Sequence, residues 1–426
     1  MDIRLLTDWN TWWENRTLLN ELVGENRPQY KHLVDSIGVR EITIITGVRR
    51  SGKSTLLYQM IRNLLHQGIN PKQILFVNFD DKKLLPYSLD EVYQCYLEFV
   101  NLDKPAYIFL DEVHRQEGWE SWIRKKYDLK AAAKFVVSGS CSYLLKKEYS
   151  TLLTGRNITF EVFPLSFAEF IRFKGLSIET TGLNTITEKT KISLHRHLRE
   201  YLTFGGFPEV LVKPENYKTK LLEQYFDDIL YKDIIDRYNL NSQITKNIAL
   251  FFMTNMTGLI SLRTIRNSLQ ISYDTIKNYL AYFKEAFLFF TLDHFSYSFT
   301  EQKTLPSKIY CIDTGLRNAV RFVLSEDEGK GAENIVFLDL KRRNKEIFYW
   351  KKKGEVDFVI KHKDQSLTAI NVTYTNEVSE RETKALQELQ HEGKGKIKEM
   401  IIITKDVEKK EQQIQFIPLW KWLLRA

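Results

Sequence analysis

From residue 42 onward, short apolar runs rich in β-branched residues alternate with amphipathic stretches. The runs are residues 42–46, 74–79, 107–110, 134–137 and 158–163. Between them, residues 54–66 and 89–100 carry apolar side chains at helical spacing. Strands of this kind, each followed by a helix, predict a parallel sheet with helices on both faces. Near Pro164 the pattern changes: residues 165–250 read as mostly helical, broken by Gly205, Gly206 and Pro208, and residues 251–300 hold two or three short helices. From about residue 308 a mixed α/β pattern returns, with apolar runs at 347–350, 356–360, 367–372 and 400–403.

A length of 426 residues predicts two or three domains. Hydrophobic residues make up 43% and aromatics 13%, which supports filled cores and excludes extended disorder. The net charge of +8 suits a polyanionic partner, and it equally suits a lysine-rich solvated surface. Cys95, Cys141 and Cys311 are far apart, without the CxxC spacing of a zinc site or a disulfide framework. The opening MDIRLLTDWN has no apolar signal core, and the apolar stretch 286–292 is far shorter than the ~20 residues of a spanning helix. A soluble, cytoplasmic protein without a membrane partner is expected.

Gly47-Val48-Arg49-Arg50-Ser51-Gly52-Lys53-Ser54 satisfies GxxxxGK[ST] at every fixed position, between a strand and a helix. Glycines let such a backbone curl so that its N–H groups face phosphate oxygens, and the helix N-terminus adds partial positive charge. The loop, through Thr55, is therefore the candidate ATP site. Lys53 would reach the β- and γ-phosphates, and the Ser54 hydroxyl would ligate Mg²⁺. Tyr107-Ile108-Phe109-Leu110-Asp111-Glu112 supplies two carboxylates at a strand tip. Asp111 is the candidate Mg²⁺ partner and Glu112 the group that orients and deprotonates the attacking water. The run 134–140 ends in Ser138-Gly139-Ser140, whose hydroxyls either touch the γ-phosphate or cap the next helix; Ser140 is the chosen candidate. Arg156, in Thr154-Gly155-Arg156, is either an arginine finger for a neighbouring subunit's nucleotide or one half of a structural ion pair.

The runs GVRRSGKST, YIFLDEVH, FVVSGSCSYLL, LLTGR, VFPLSFAEF and FGGFPE together resemble the AAA+ ATPases of archaea and bacteria in the signalling-ATPase-like branch, whose C-terminal portion is a domain of unknown function, DUF4143. The resemblance covers nearly the whole chain beyond residue 30. It implies an ASCE-type core with Glu112 as catalytic acid/base, a helical lid, a winged helix-turn-helix and a nuclease-like C-terminal domain. It also supports Arg156 as a finger by position, and ATP over GTP. The expected division is residues 1–165 (ATPase core), 166–240 (lid and connector), 241–305 (winged helix) and 306–426 (restriction-endonuclease-like α/β domain).

Within the third segment, a short helix, a turn at 270–272 and a second helix with Thr275, Lys277 and Asn278 have helix-turn-helix spacing. No arginine sits in the middle of the second helix, so base-specific reading is disfavoured. In the fourth, Gly354-Glu355-Val356-Asp357 resembles the acidic strand of PD-(D/E)xK nucleases, with Asp357 on the metal and Glu333 assisting. Asn371 and Thr373 stand where that pattern expects E-x-K, so cleavage is expected to be lost. Lys341, Arg342, Arg343, Lys351, Lys352, Lys353, Lys361 and Lys363 form either a phosphate-tracking face or a solvated one. The leading expectation is an Mg²⁺-dependent, DNA-binding ATPase, with homo-oligomers possible. A nucleotide-switched signalling scaffold and an active ATP-dependent nuclease are the alternatives.

Overall fold

In the computed structural model, all residues are described except 102–103, 142–152, 177, 179–182, 184–185, 322–326, 394–395 and 426. The last four residues of the FVVSGSCSYLL run therefore lie outside the described residues. Two compact units emerge, one of residues 1–162 with 285–287, the other of residues 163–284 and 288–426.

The first unit is built on five parallel strands: β1 (Ile42–Thr46), β2 (Ile74–Asn78), β3 (Ala106–Asp111), β4 (Ala133–Gly139) and β5 (Asn157–Glu161). Their order is β2-β3-β4-β1-β5. Successive residues serve opposite faces, so both sides of the sheet are packed. Ile44, Val77, Ile108 and Val137 enter one core, while Ile45, Phe76, Phe109 and Val136 enter the other. Helix Lys53–His66 lies against the second core through Leu56, Leu57, Met60, Ile61 and Leu64. The tryptophan-rich N-terminal segment completes β2: Asn10 accepts from the Phe76 N–H and donates to the Phe76 carbonyl, at 2.7 and 2.8 Å. The Trp12 and Trp13 indoles both donate to the Ile74 carbonyl.

In the second unit, helices Glu188–Phe204, Glu215–Asp228 and Ser242–Thr254 confirm the helical reading. Leu262–Leu269 and Tyr273–Glu285 follow, joined by a tight turn with Gln270 in the left-handed region (φ 55°). Ile276, Tyr279 and Phe283 bury one face of the second helix, and Lys277 and Asn278 are exposed on the other. Next, β6 (Phe289–Leu292) pairs antiparallel with β7 (Lys308–Cys311). This pair spans the composition boundary near residue 305.

The remaining strands are β8 (Glu346–Lys351), β9 (Glu355–Lys361), β10 (Leu367–Thr373), β11 (Ile397–Thr404), β12 (Lys409–Glu411) and β13 (Ile414–Pro418). They form a mixed sheet in the order β12-β13-β11-β10-β9-β8, flanked by helices Glu328–Arg342 and Glu380–Glu392. Two of the sequence motifs, VFPLSFAEF and FGGFPE, meet in this unit beside Asp313. The Gly206 N–H donates to the Asp313 carboxylate at 2.7 Å, and the Leu165 N–H donates to the Gly206 carbonyl at 2.7 Å. A methyl group on Gly206 would lie 2.3 Å from the Leu165 carbonyl oxygen, and one on Gly315 would lie 2.1 Å from that of Phe204. The double glycine is thus a close-packing device. Among the described residues, no helix is long and apolar enough to cross a membrane.

Candidate active site

All five strands of the first sheet run parallel, so their C-terminal ends share one edge, where ligands of open α/β sheets bind. The loop 47–52 leaves β1 there and turns through left-handed conformations at Gly47 (φ 152°), Arg50 (φ 69°) and Gly52 (φ 96°). Gly47 has no room for a side chain, because its Cβ would lie 2.0 Å from the Val162 carbonyl oxygen. Arg27 braces the loop from outside, donating to the Ser51 carbonyl at 3.1 Å. Val48 is buried and Thr55 lies in the first helical turn.

Lys53, 4% exposed, donates to the carbonyls of Gly47 and Val48 at 3.0 and 3.1 Å. Its ammonium also lies 3.9 Å from Glu112. The Ser54 hydroxyl donates to Asp111 at 2.6 Å. Asp111 is fully buried, and burial together with the Glu112 charge pushes its carboxyl up to about 6, against the hydrogen bonds of Ser138 and Ser54 and the charge of Lys53. Glu112 sits in a left-handed conformation (φ 51°) that turns its side chain back toward Lys53. The Oε2 of Glu112 has no hydrogen-bond partner and lies 3.4 Å from His114 Nδ1. The Ser51 hydroxyl is likewise buried without a partner.

These residues fit a nucleotide with Mg²⁺. The loop is glycine-kinked at a helix N-terminus, an ammonium crosses it, a hydroxyl–carboxylate pair stands beside it, and polar atoms are left over. Among the described residues no cluster of three or more His, Cys, Asp or Glu is arranged to hold a metal.

Of the two serines at the end of β4, Ser138 reaches the acids: its hydroxyl donates to Asp111 and accepts from the Glu112 N–H. Ser140, the sequence-level choice, is buried one step beyond the strand. Arg156 is at the other edge of the sheet. It immediately precedes β5, its carbonyl accepts from the Ile42 N–H at the start of β1, and its guanidinium pairs with Asp128 at 2.8 Å. A strand's length, about 15 Å, separates it from its own P-loop.

The second unit holds the other predicted cluster. Glu333 and Asp357 both reach Lys308, joined by Tyr310 and Glu355, three residues the sequence reading did not assign. The Lys308 ammonium, 2% exposed, lies 3.1 Å from Glu333, 2.8 Å from Glu355 and 3.0 Å from Asp357. The Tyr310 hydroxyl donates to Glu333 at 2.7 Å. Burial works against the lysine charge, and Tyr310, Asp357, Glu333 and Glu355 more than reverse it, holding its pKa well above the usual value. An internal cation thus fills the space between the carboxylates. Strand alternation was the available signal, since 308 and 310 share one face of β7 and 355 and 357 share one face of β9. Asn371 is buried and spends its amide on structure, accepting from the Asp357 N–H at 3.1 Å and donating to Glu382 at 2.8 Å. Thr373 meets Thr375 instead of the cluster.

Four of the eight cations of the basic stretch have an acidic partner. Lys351 pairs with Glu355, Lys352 with Glu392, Lys361 with Glu346 and Arg343 with Asp339. Arg342 donates to the Pro164 and Leu165 carbonyls.

An AAA domain model (AAA_14) matches residues 39–171, a domain of unknown function (DUF8612) matches 195–327, and another (DUF4143) matches 328–422. An uncharacterized protein of Methanocaldococcus jannaschii is 34% identical over 408 residues, covering 90% of this chain and 88% of that protein. An uncharacterized protein of Haemophilus influenzae is 30% identical over 397 residues, covering 90% and 94%. Among solved structures, the Aeropyrum pernix ORC1 protein in complex with DNA aligns at a TM-score of 0.34 and 8% identity, over 73% of this chain and 95% of that one. AMPPCP-bound DnaA from Aquifex aeolicus aligns at 0.27 and 13%, over 60% and 85%. With a P-loop sheet of this order, the AAA_14 and DUF4143 models matched and two relatives aligned along nine-tenths of its length, the chain belongs to the AAA+ ATPases that carry a C-terminal DUF4143 domain.

Proposed function

We propose that this protein is an Mg²⁺-dependent ATPase that binds DNA, largely without regard to sequence, and couples its nucleotide cycle to a change of shape or assembly. The observation that carries the reading is the convergence of Lys53, Ser54, Asp111 and Glu112 at one strand edge. Bound Mg²⁺ would neutralise phosphate charge and orient the terminal phosphate. The loop N–H groups and Lys53 bind the phosphates, and Ser54 with Asp111 hold the metal. Glu112, with one oxygen unclaimed, orients the attacking water and draws its proton. The exposed face of helix Tyr273–Glu285, with Lys277 and Asn278, is the proposed DNA contact.

In this reading the C-terminal domain does not cleave DNA, because Lys308 stands among its acids and Asn371 replaces the expected carboxylate. Arg156 cannot serve its own nucleotide, so any role as a finger is toward a second subunit.

The testing experiment is ATP turnover by the wild type and Glu112→Gln, with and without duplex and single-stranded DNA. Turnover stimulated by DNA and lost in the variant is expected. Tight ATP binding with negligible turnover and no effect of DNA would replace this reading with the nucleotide-switched scaffold. The ion pairing of half of the basic stretch of the second unit is the observation that favours that second reading.

A further inference from the structure

Asp80 lies just past the end of β2, on the same edge as the P-loop. Its two oxygens are divided between two arginines. Arg49, inside the P-loop and 9% exposed, reaches Oδ2 at 3.0 Å, and Arg115, three residues past Glu112, reaches Oδ1 at 2.5 Å. Asp80 is itself tied to the metal-binding strand end. Its N–H donates to Asn78 Oδ1 at 2.8 Å, and the Asn78 amide lies 3.5 Å from Asp111. The Phe79 N–H donates to the Asp111 carbonyl at 3.0 Å, and the Arg115 N–H donates to that of Glu112 at 3.1 Å. Burial opposes the Asp80 charge, yet Arg49 and Arg115 hold its carboxyl below the usual range, with His114 contributing.

Two guanidinium groups thus share one carboxylate. One arginine belongs to the loop that cradles phosphates and the other to the turn that presents the catalytic acid. Charge accumulates on the terminal phosphoryl oxygens during transfer, and a guanidinium there lowers the barrier. Arg156, the candidate finger for a neighbouring subunit's nucleotide, lies at the opposite ends of the strands.

We propose that Arg49 and Arg115, positioned by Asp80, bind the terminal phosphate of ATP in cis, so that a single chain supplies its own arginines for phosphoryl transfer. The inference rests on the ATP-site reading above. It also predicts nucleotide discrimination: ADP, lacking the third phosphate, loses these contacts.

The test measures affinity for fluorescent ATP and ADP analogues, with Mg²⁺, on the full chain. The proteins are the wild type, Arg115→Ala, Arg115→Lys and Asp80→Asn, and ATP turnover is followed across protein concentration. For Arg115→Ala, ATP affinity should fall roughly 10-fold or more while ADP affinity stays within about 2-fold, and turnover should fall on the order of 10²–10³-fold. Arg115→Lys should recover only part of this, because a point charge lacks the planar fork. Asp80→Asn should lower turnover with a smaller effect on ATP affinity, since both cations persist without their common anchor. The wild-type rate per chain should not depend on protein concentration. Equal losses of ATP and ADP affinity in Arg115→Ala would mark a brace for the loop and overturn the proposal. So would unchanged turnover, or turnover that appears only at high protein concentration and vanishes in Arg156→Ala. A wild type that binds neither nucleotide would instead overturn the ATP-site reading itself.

Discussion

The Ser54 hydroxyl donates to Asp111 across 57 residues of sequence at 2.6 Å, joining the first turn of the P-loop helix to the tip of β3. Asp111 is buried beside Glu112, and burial raises its pKa, so a cation at this pair would be strongly favoured. Ser54→Ala removes a ligand and leaves the acid with less compensation. ATP turnover should fall by one to two orders of magnitude, with a higher Mg²⁺ requirement measured by titration. Glu112→Gln should keep ATP bound and slow hydrolysis by roughly 10²-fold or more. Wild-type turnover in Glu112→Gln would remove that residue from the mechanism.

Gly47→Ala should destabilise the first unit by about 2–4 kcal/mol. The cause is a φ of 152° with the Val162 carbonyl oxygen 2.0 Å from any Cβ, so the backbone of the loop or of residue 162 must move. Urea unfolding with and without ATP would show reduced stability and little stabilisation by nucleotide. An alanine variant as stable as wild type would contradict the close approach.

Asp313 gives the second unit a pH signature. Burial pushes its carboxyl up to about 6, against the N–H groups of Gly206 and Leu316 and the Arg342 charge. A folded-state pKa above the unfolded value means that the folded state holds the proton more tightly. The associated stability is present in full below about pH 4 and is lost as pH rises toward 6. Asp313→Asn should flatten that part of the stability–pH curve measured by urea unfolding at a series of pH values. It should also lower stability at pH 7 by about 1–3 kcal/mol, because one amide cannot accept as both carboxylate oxygens do. An unchanged slope would remove Asp313 as its source.

Lys308→Met would leave Glu333, Glu355 and Asp357 without their shared ammonium and should cost about 3–5 kcal/mol. Adding Glu333→Gln removes one of the repelling charges, so the double variant should be less destabilised than the sum of the two singles. Strict additivity would show that the cluster is not coupled. Wild-type protein with Mg²⁺ or Mn²⁺ should leave supercoiled plasmid intact. Nicking abolished by both Asp357→Ala and Lys308→Met would make the lysine part of an active nuclease.

Duplex binding should weaken linearly on a log–log plot against salt, and Lys277→Ala should reduce the slope by about one. Binding that ignores salt, or a variant indistinguishable from wild type, would direct attention to protein partners.

The nucleotide site was legible because its chemistry is local: eight consecutive residues fix the loop, and an apolar run followed by two acids fixes the strand tip. Strands β1 to β5 and β8 to β11 were legible through their apolar runs. Short β12, with exposed Lys409, Lys410 and Glu411, carries no apolar pattern and was invisible. Lys308 was missed because its partners lie 25, 47 and 49 positions away, and only the packing of β7 against β9 and helix Glu328–Arg342 reveals them. The choice between Ser138 and Ser140 turned on a hydrogen bond across neighbouring strands. Asp80 drew no notice because a lone acid after a strand resembles any solvated turn.

Asn10 presents to β2 the donor and acceptor that another strand would have offered. An outer strand with such groups unclaimed is an invitation to a further strand, from a second copy or from a misfolded neighbour. At Phe76 that invitation is withdrawn by one amide side chain, with Trp12 and Trp13 claiming the carbonyl of Ile74. Self-association of the first unit by extending the sheet at that stretch of β2 is therefore blocked. Asn10→Ala should accordingly show itself as aggregation before it shows itself as lost activity.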